Sequence, residues 1–182
     1  MDKFILTKDN SVLVIVDVQE KLAAVMKQKE TAVNNCLHLL EAAKLLNIPI
    51  VVTEQYPKGL GHTINEIKKA LPAYKPLEKV TFDCCKGGGF LRKITSLKRK
   101  HIILTGMETH VCVLQTCLSL LKKYSVHLVS DAVCSRKKDD YLTGRELMRD
   151  AGAVITCTET VLFQLLEKAG TPKFKAIVKR IK

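Results

Sequence analysis

The stretch Ser11-Val-Leu-Val-Ile-Val-Asp17 constrains this chain more than any other. An apolar run without alternation marks a strand covered on both faces, which is the habit of parallel sheets. Parallel neighbours need long crossover connections, usually helices, and the sequence supplies them. Five further runs read as strands: Ile48–Thr53, Leu77–Phe82, His101–Gly106, Val126–Asp131 and Ala153–Cys157. Helical periodicity and stop signals fall between them, over Thr31–Leu46, Ile64–Leu71, Phe90–Lys98, the run from Cys112 to Tyr124, Asp139–Ala151 and Thr160–Lys168. The closing Pro172–Lys182 sets Phe174, Ile177, Val178 and Ile181 at i, i+3, i+4 and i+7, an amphipathic helix that docks on the domain or on a sister subunit. Strands alternating with helices, with no linker or repeat, predict one three-layer α/β/α domain over residues 1–182, built on a six-stranded parallel, Rossmann-like sheet.

Charge and cysteine content narrow the function classes. The net charge of +12 invites a nucleic-acid reading, but the basic residues are dispersed and the aromatic content is only 5%. With no zinc-finger or RNP-like motif, weak polyanion attraction is the most that the charge implies. Seven Cys, none in a Cys-x-x-Cys pair, read as packed thiols in a reducing compartment rather than a disulfide framework. No apolar run is long enough to span a bilayer, so no membrane role is expected. Met-Asp-Lys-Phe-Ile-Leu at the start lacks a signal peptide's apolar region, and the expected location is cytoplasmic.

Common site signatures are missing. No Gly-x-Gly-x-x-Gly follows the first strand, and neither a Walker motif nor a Gly-x-Ser-x-Gly elbow occurs. The five His are scattered, with no metal-ligand spacing. Three residues remain. Asp17 ends the first strand, Lys79 lies in the third, and Cys112 follows Gly106-Met-Glu-Thr-His-Val, where a strand gives way to a helix. A thiol at a helix N-terminus gains acidity from the dipole and from unpaired N–H groups, and those donors make an oxyanion hole. A cysteine there is equally a small packed residue, and Asp17 with Lys79 equally an ion pair closing a sheet edge; position alone does not decide.

The residues resemble a known family. Ile-Val-Asp17-Val-Gln19, Leu77-Glu-Lys79-Val-Thr-Phe82 and Gly106-Met-Glu-Thr-His-Val-Cys112-Val resemble the three motifs of the isochorismatase-like cysteine hydrolases, in order and over nearly the whole chain. Thr53-Glu-Gln-Tyr-Pro-Lys-Gly-Leu-Gly61 and the closing Pro172-Lys-Phe-Lys look like the isochorismatase-domain-containing subgroup. The resemblance implies a Cys-Asp-Lys triad in which Cys112 is the nucleophile, Asp17 the base and Lys79 the cation holding both. It also implies a cis peptide at Met107–Glu108 and an oxyanion hole from the backbone N–H groups of Glu108 and Cys112. Tyr56 and Phe82 are candidates to line a substrate pocket, and Gln19 to add a polar contact. Nicotinamidases of the superfamily hold a metal with an Asp and two His after the second strand. The lone His62 here supplies no such set, so no metal and no cofactor is expected. The reading is a metal-independent hydrolase acting on a small amide or related carbonyl compound as a homo-oligomer. A non-catalytic interaction protein on the same fold and a nicotinamidase-like amidase are the alternatives.

Overall fold

The structure, a computed structural model, describes residues 2–181. Six strands form one sheet: β1 (Ser11–Val16), β2 (Ile50–Gln55), β3 (Leu77–Lys79), β4 (His101–Met107), β5 (Ser125–Cys134) and β6 (Val154–Thr156). Every neighbouring pair is parallel, in the order β3-β2-β1-β4-β5-β6. The helices are α1 (Glu20–Ala24), α2 (Lys29–Leu46), α3 (Pro57–Leu60), α4 (Asn65–Ala70), α5 (Phe90–Ser96), α6 (Leu114–Leu120), α7 (Lys138–Asp150), α8 (Thr158–Leu166) and α9 (Pro172–Ile181).

The central strand shows why the first apolar run is decisive. Leu13 and Ile15 point into one core with α2, Ile67 of α4, α8 and Ile177 of α9. Val12, Val14 and Val16 point into the other, with Phe90 and Ile94 of α5, Cys117 and Leu120 of α6, and Met148 of α7. Both faces of β1 are therefore dry, as alternating side chains on a doubly covered strand require. The result is the expected three-layer α/β/α sandwich with an all-parallel sheet. The tail helix docks on this domain: Ile177 is buried, and Phe174 meets Phe163 of α8 edge-on at 6.1 Å.

Several boundaries differ from expectation. β2 runs to Gln55 rather than stopping at Thr53, because its end pairs with β3. β3 stops at Lys79, since Val80 and Phe82 leave the ladder and are exposed. β5 continues past Asp131 to Cys134 through an irregularity opposite Leu104 and Gly106. The helical run after β4 opens with a π-helical turn, Thr109–Val113, that contains Cys112; α6 follows it and ends before Tyr124. Lys182 of the expected tail helix lies outside the described residues.

The strand order creates the crevice. The chain moves outward from β1 to β3 and then returns to place β4 on the other side of β1. The carboxyl ends of β1 and β4 thus flank a topological switch point, where open α/β sheets bind ligands. Gly106 permits the close approach: its φ is +116°, and a Cβ there would collide with the Val16 carbonyl oxygen on β1.

At the opposite end of the sheet His101 and His127, on neighbouring strands, stack with centroids 5.6 Å apart. Burial, and then the His101 ring, pull the His127 pKa from 6.5 down to about 4. The folded protein therefore refuses a proton that the unfolded chain accepts. Stability should be full above pH 6.5 and fall as pH drops toward 4, by roughly 3 kcal/mol at 1.36 kcal/mol per unit. Urea unfolding midpoints across that window check this, and a midpoint unchanged between neutral pH and pH 4 would contradict it.

Candidate active site

Asp17 is the first residue after β1 and is fully buried, with a left-handed backbone (φ 50°). Its carboxylate is held from two sides. Lys79 Nζ donates to Oδ2 at 2.6 Å, and Thr53 Oγ1, from β2, donates to Oδ1 at 2.7 Å. Lys79 also donates to Gln55 Oε1 at 2.7 Å and to the Phe82 carbonyl at 3.3 Å. Both charged side chains are essentially inaccessible. Burial, the largest single influence, disfavours the ammonium, but the Asp17 carboxylate together with the Cys84 and Cys112 sulfurs outweighs it and holds the Lys79 pKa above the usual lysine value.

Cys112 completes the cluster. Its thiol is buried, and Asp17, Lys79 and Cys84 are all close enough to act on its charge. A helix terminus favours an acidic thiol, and burial here reverses the sign. Burial first, and then the Asp17 carboxylate, push the Cys112 pKa well above the ordinary thiol value, with Lys79 only partly offsetting them. At rest Cys112 is therefore a neutral thiol beside an acceptor, which makes a base more necessary than a dipole. The sequence reading missed this because burial is a tertiary property.

The Met107–Glu108 peptide, between β4 and the π-helical turn, is cis. The Glu108 carboxylate Oε2 accepts from the Arg136 backbone N–H at 3.0 Å and from its Nε at 3.2 Å. The polar residues named for substrate contact fare unequally. Gln19 is fully buried: its Nε2 donates to the carbonyls of Gln55 (2.9 Å) and Gly61 (2.6 Å), and its Oε1 accepts from the Gln55 N–H (2.7 Å). It clamps the loops after β1 and β2 together and presents no donor to a ligand. Tyr56 is exposed and lines a cleft of about 450 Å³ with Lys58, Val80, Thr81, Lys86 and part of Lys79. Phe82 is equally exposed but stands outside that wall, and the Cys112 thiol does not line it either.

Three supporting residues escaped the sequence reading. Thr53 and Gln55 alternate on one face of β2 and meet Asp17 and Lys79, while Cys84 donates its thiol to Thr53 Oγ1 at 3.8 Å. The available signal was a polar Thr-Glu-Gln ending on an otherwise apolar buried strand. Glu54, between them, turns to the other face. There Thr63 donates to Oε1 through its N–H (2.6 Å) and Oγ1 (2.7 Å), Tyr74 OH donates to Oε1 as well, and His62 Nδ1 lies 3.1 Å from Oε2. Among the described residues no three or more His, Cys, Asp or Glu gather as a metal-binding group.

Residues 11–160 match the isochorismatase domain. The chain belongs to the isochorismatase family. It is 44% identical over 178 residues to the secreted isochorismatase effector Isc1 of Phytophthora sojae, covering 95% of this chain and 85% of the relative. It is 37% identical over 175 residues to isochorismatase domain-containing protein 2 of Danio rerio, covering 96% and 88%. Among solved structures, one described as MAR1 ribonuclease from Caenorhabditis elegans superposes with a TM-score of 0.89 at 39% identity, covering 97% of this chain and 92% of that one. The YcaC gene product of Escherichia coli, described as an octameric hydrolase of unknown specificity, shares the isochorismatase fold with a TM-score of 0.90 at 22% identity, covering 97% and 90%.

Proposed function

We propose that this isochorismatase-family protein is a cysteine hydrolase that works without a metal on a small amide or related carbonyl compound. One observation supports the reading most: the buried Asp17 carboxylate and Lys79 ammonium pair at 2.6 Å at the switch point of the sheet, with the buried Cys112 thiol close enough to feel both charges. Asp17 takes the thiol proton as Cys112 attacks the carbonyl carbon, and Lys79 holds the carboxylate in place. The N–H groups of Glu108 and Cys112 receive the developing oxyanion, the leaving group departs with the proton, and water releases the acyl group from sulfur. The cleft beside Tyr56 and Lys79 is the access route this reading favours.

A panel of small amides and esters, read by release of amine or alcohol and by intact mass, tests it. A substrate that leaves an acyl mass on Cys112, with turnover lost in Cys112→Ala, is the expected result. Turnover that survives Cys112→Ala contradicts the mechanism.

A homo-oligomer is the form in which we expect it to act, as in the octameric E. coli neighbour. Its seven free thiols suit a reducing, cytoplasmic setting, although the Phytophthora relative is described as secreted. No helix among the described residues is long and apolar enough to cross a membrane. A second reading, weak polyanion binding, draws on the charge of +12 and on the ribonuclease description of the C. elegans structure. Retention on RNA that falls steeply with salt would favour it.

A further inference from the structure

A second cavity lies one strand away from the proposed active site and takes no part in the chemistry above. It opens at the carboxyl end of β5, between the first turns of α2 and α7, with a volume of about 370 Å³. Lys27, Arg136 and Lys138 stand on its wall with the hydroxyl-bearing Thr31, Ser135 and Tyr141, while Val133 supplies apolar surface. Among the described residues Asp131 is the only carboxylate on that wall, so three cations face one anion. Its Oδ1 is already engaged by the Thr158 N–H (2.8 Å) and Oγ1 (2.9 Å) at the start of α8.

The cations have capacity to spare. Neither Lys27 nor Lys138 forms a salt bridge among the described residues. Arg136 gives its backbone N–H and Nε to Glu108, and its side chain is 60% exposed. That places one edge of the guanidinium on Glu108 and leaves the terminal nitrogens of the fork for a ligand. Three cations crowded on one concave wall repel one another, and an anion between them would relieve that repulsion. The starts of α2 and α7 have no side-chain cap, and Glu30, Asp139 and Asp140 in their first turns offset part of the dipole field there without standing on the cavity wall. The Tyr141 ring and Val133 fit a small organic body rather than a bare ion.

We propose that this cavity binds a small organic dianion, carried by a phosphate or by a pair of carboxylates, at a site separate from Cys112. The inference does not depend on Cys112 being a nucleophile. Titration calorimetry of the full chain with inorganic phosphate and with succinate tests it, with neutral ethylene glycol as the control. Saturable binding of at least one anion is expected, weaker at high salt. Loss of a charge-assisted contact should weaken it about tenfold or more in the Lys27→Gln/Lys138→Gln double variant. Binding should persist in Cys112→Ala, so failure of the hydrolase reading would leave this result standing. No saturable heat with either anion, or binding unchanged in the double variant, would overturn the proposal.

Discussion

Replacing Lys79 with Met is expected to destabilise the fold by about 3–5 kcal/mol, the range for breaking a buried ion pair from one side. The substitution keeps the aliphatic stem but removes the cation 2.6 Å from Asp17 Oδ2. Asp17 is then left fully buried with the neutral Thr53 hydroxyl as its remaining side-chain donor among the described residues, and Gln55 Oε1 loses its partner too. The companion variant separates the pair from the packing. Asp17→Asn removes the charge while keeping a side chain that tolerates the left-handed backbone at φ 50°. The double variant Lys79→Met/Asp17→Asn should therefore be markedly more stable than Lys79→Met alone. Denaturant unfolding of the two proteins checks this, and equal losses would mean that the pair is not coupled.

Asp17→Asn on its own should divide two properties that usually move together. The Asp17 carboxylate is, after burial, the largest influence raising the Cys112 pKa. Removing it leaves the Lys79 cation unopposed, so the thiol pKa should fall and the pH profile of alkylation at Cys112 should move to lower pH. Turnover should drop all the same, by about 10²–10⁴-fold, because the group that takes the proton during attack is gone. A packed, inert cysteine would show neither effect coupled to the other. Alkylation profiles and turnover of any substrate returned by the panel are the two readouts. Loss of turnover with no shift in the alkylation profile would indicate that Asp17 acts only through the fold.

These expectations also mark what the sequence made legible. Val12–Val16 announced a doubly covered parallel strand because burial on both faces abolishes alternation. Asp17 and Cys112 stood out at strand ends, Lys79 lay within the expected third strand, and the resemblance to the family's three motifs joined them. Gln19 was misleading for the same reason: a polar residue after a strand reads as a crevice contact, and only the paths of the β1 and β2 loops show it to be a clamp. Thr53 and Gln55 escaped notice because their value depends on β3 lying against β2, a pairing between segments more than twenty residues apart. The five-residue α1 is too short to carry a periodic signal. The resting state of the Cys112 thiol was read with the wrong sign, since a helix terminus is visible in sequence and desolvation is not. The cavity at the end of β5 was invisible as well, because Lys27 and Lys138 meet only through the fold.

The most direct measurement of the central claim is the site-resolved rate of iodoacetamide labelling at neutral pH, read by peptide mass spectrometry. Cys36 and Cys117 serve as internal references, being thiols whose pKa burial raises just as it raises that of Cys112, but without the Asp17–Lys79 pair beside them. Cys112 should be modified faster than either, its modification should track the loss of hydrolytic activity, and Asp17→Asn should change its rate. A Cys112 that reacts no faster than Cys36 and Cys117, and does not respond to Asp17→Asn, would contradict the account.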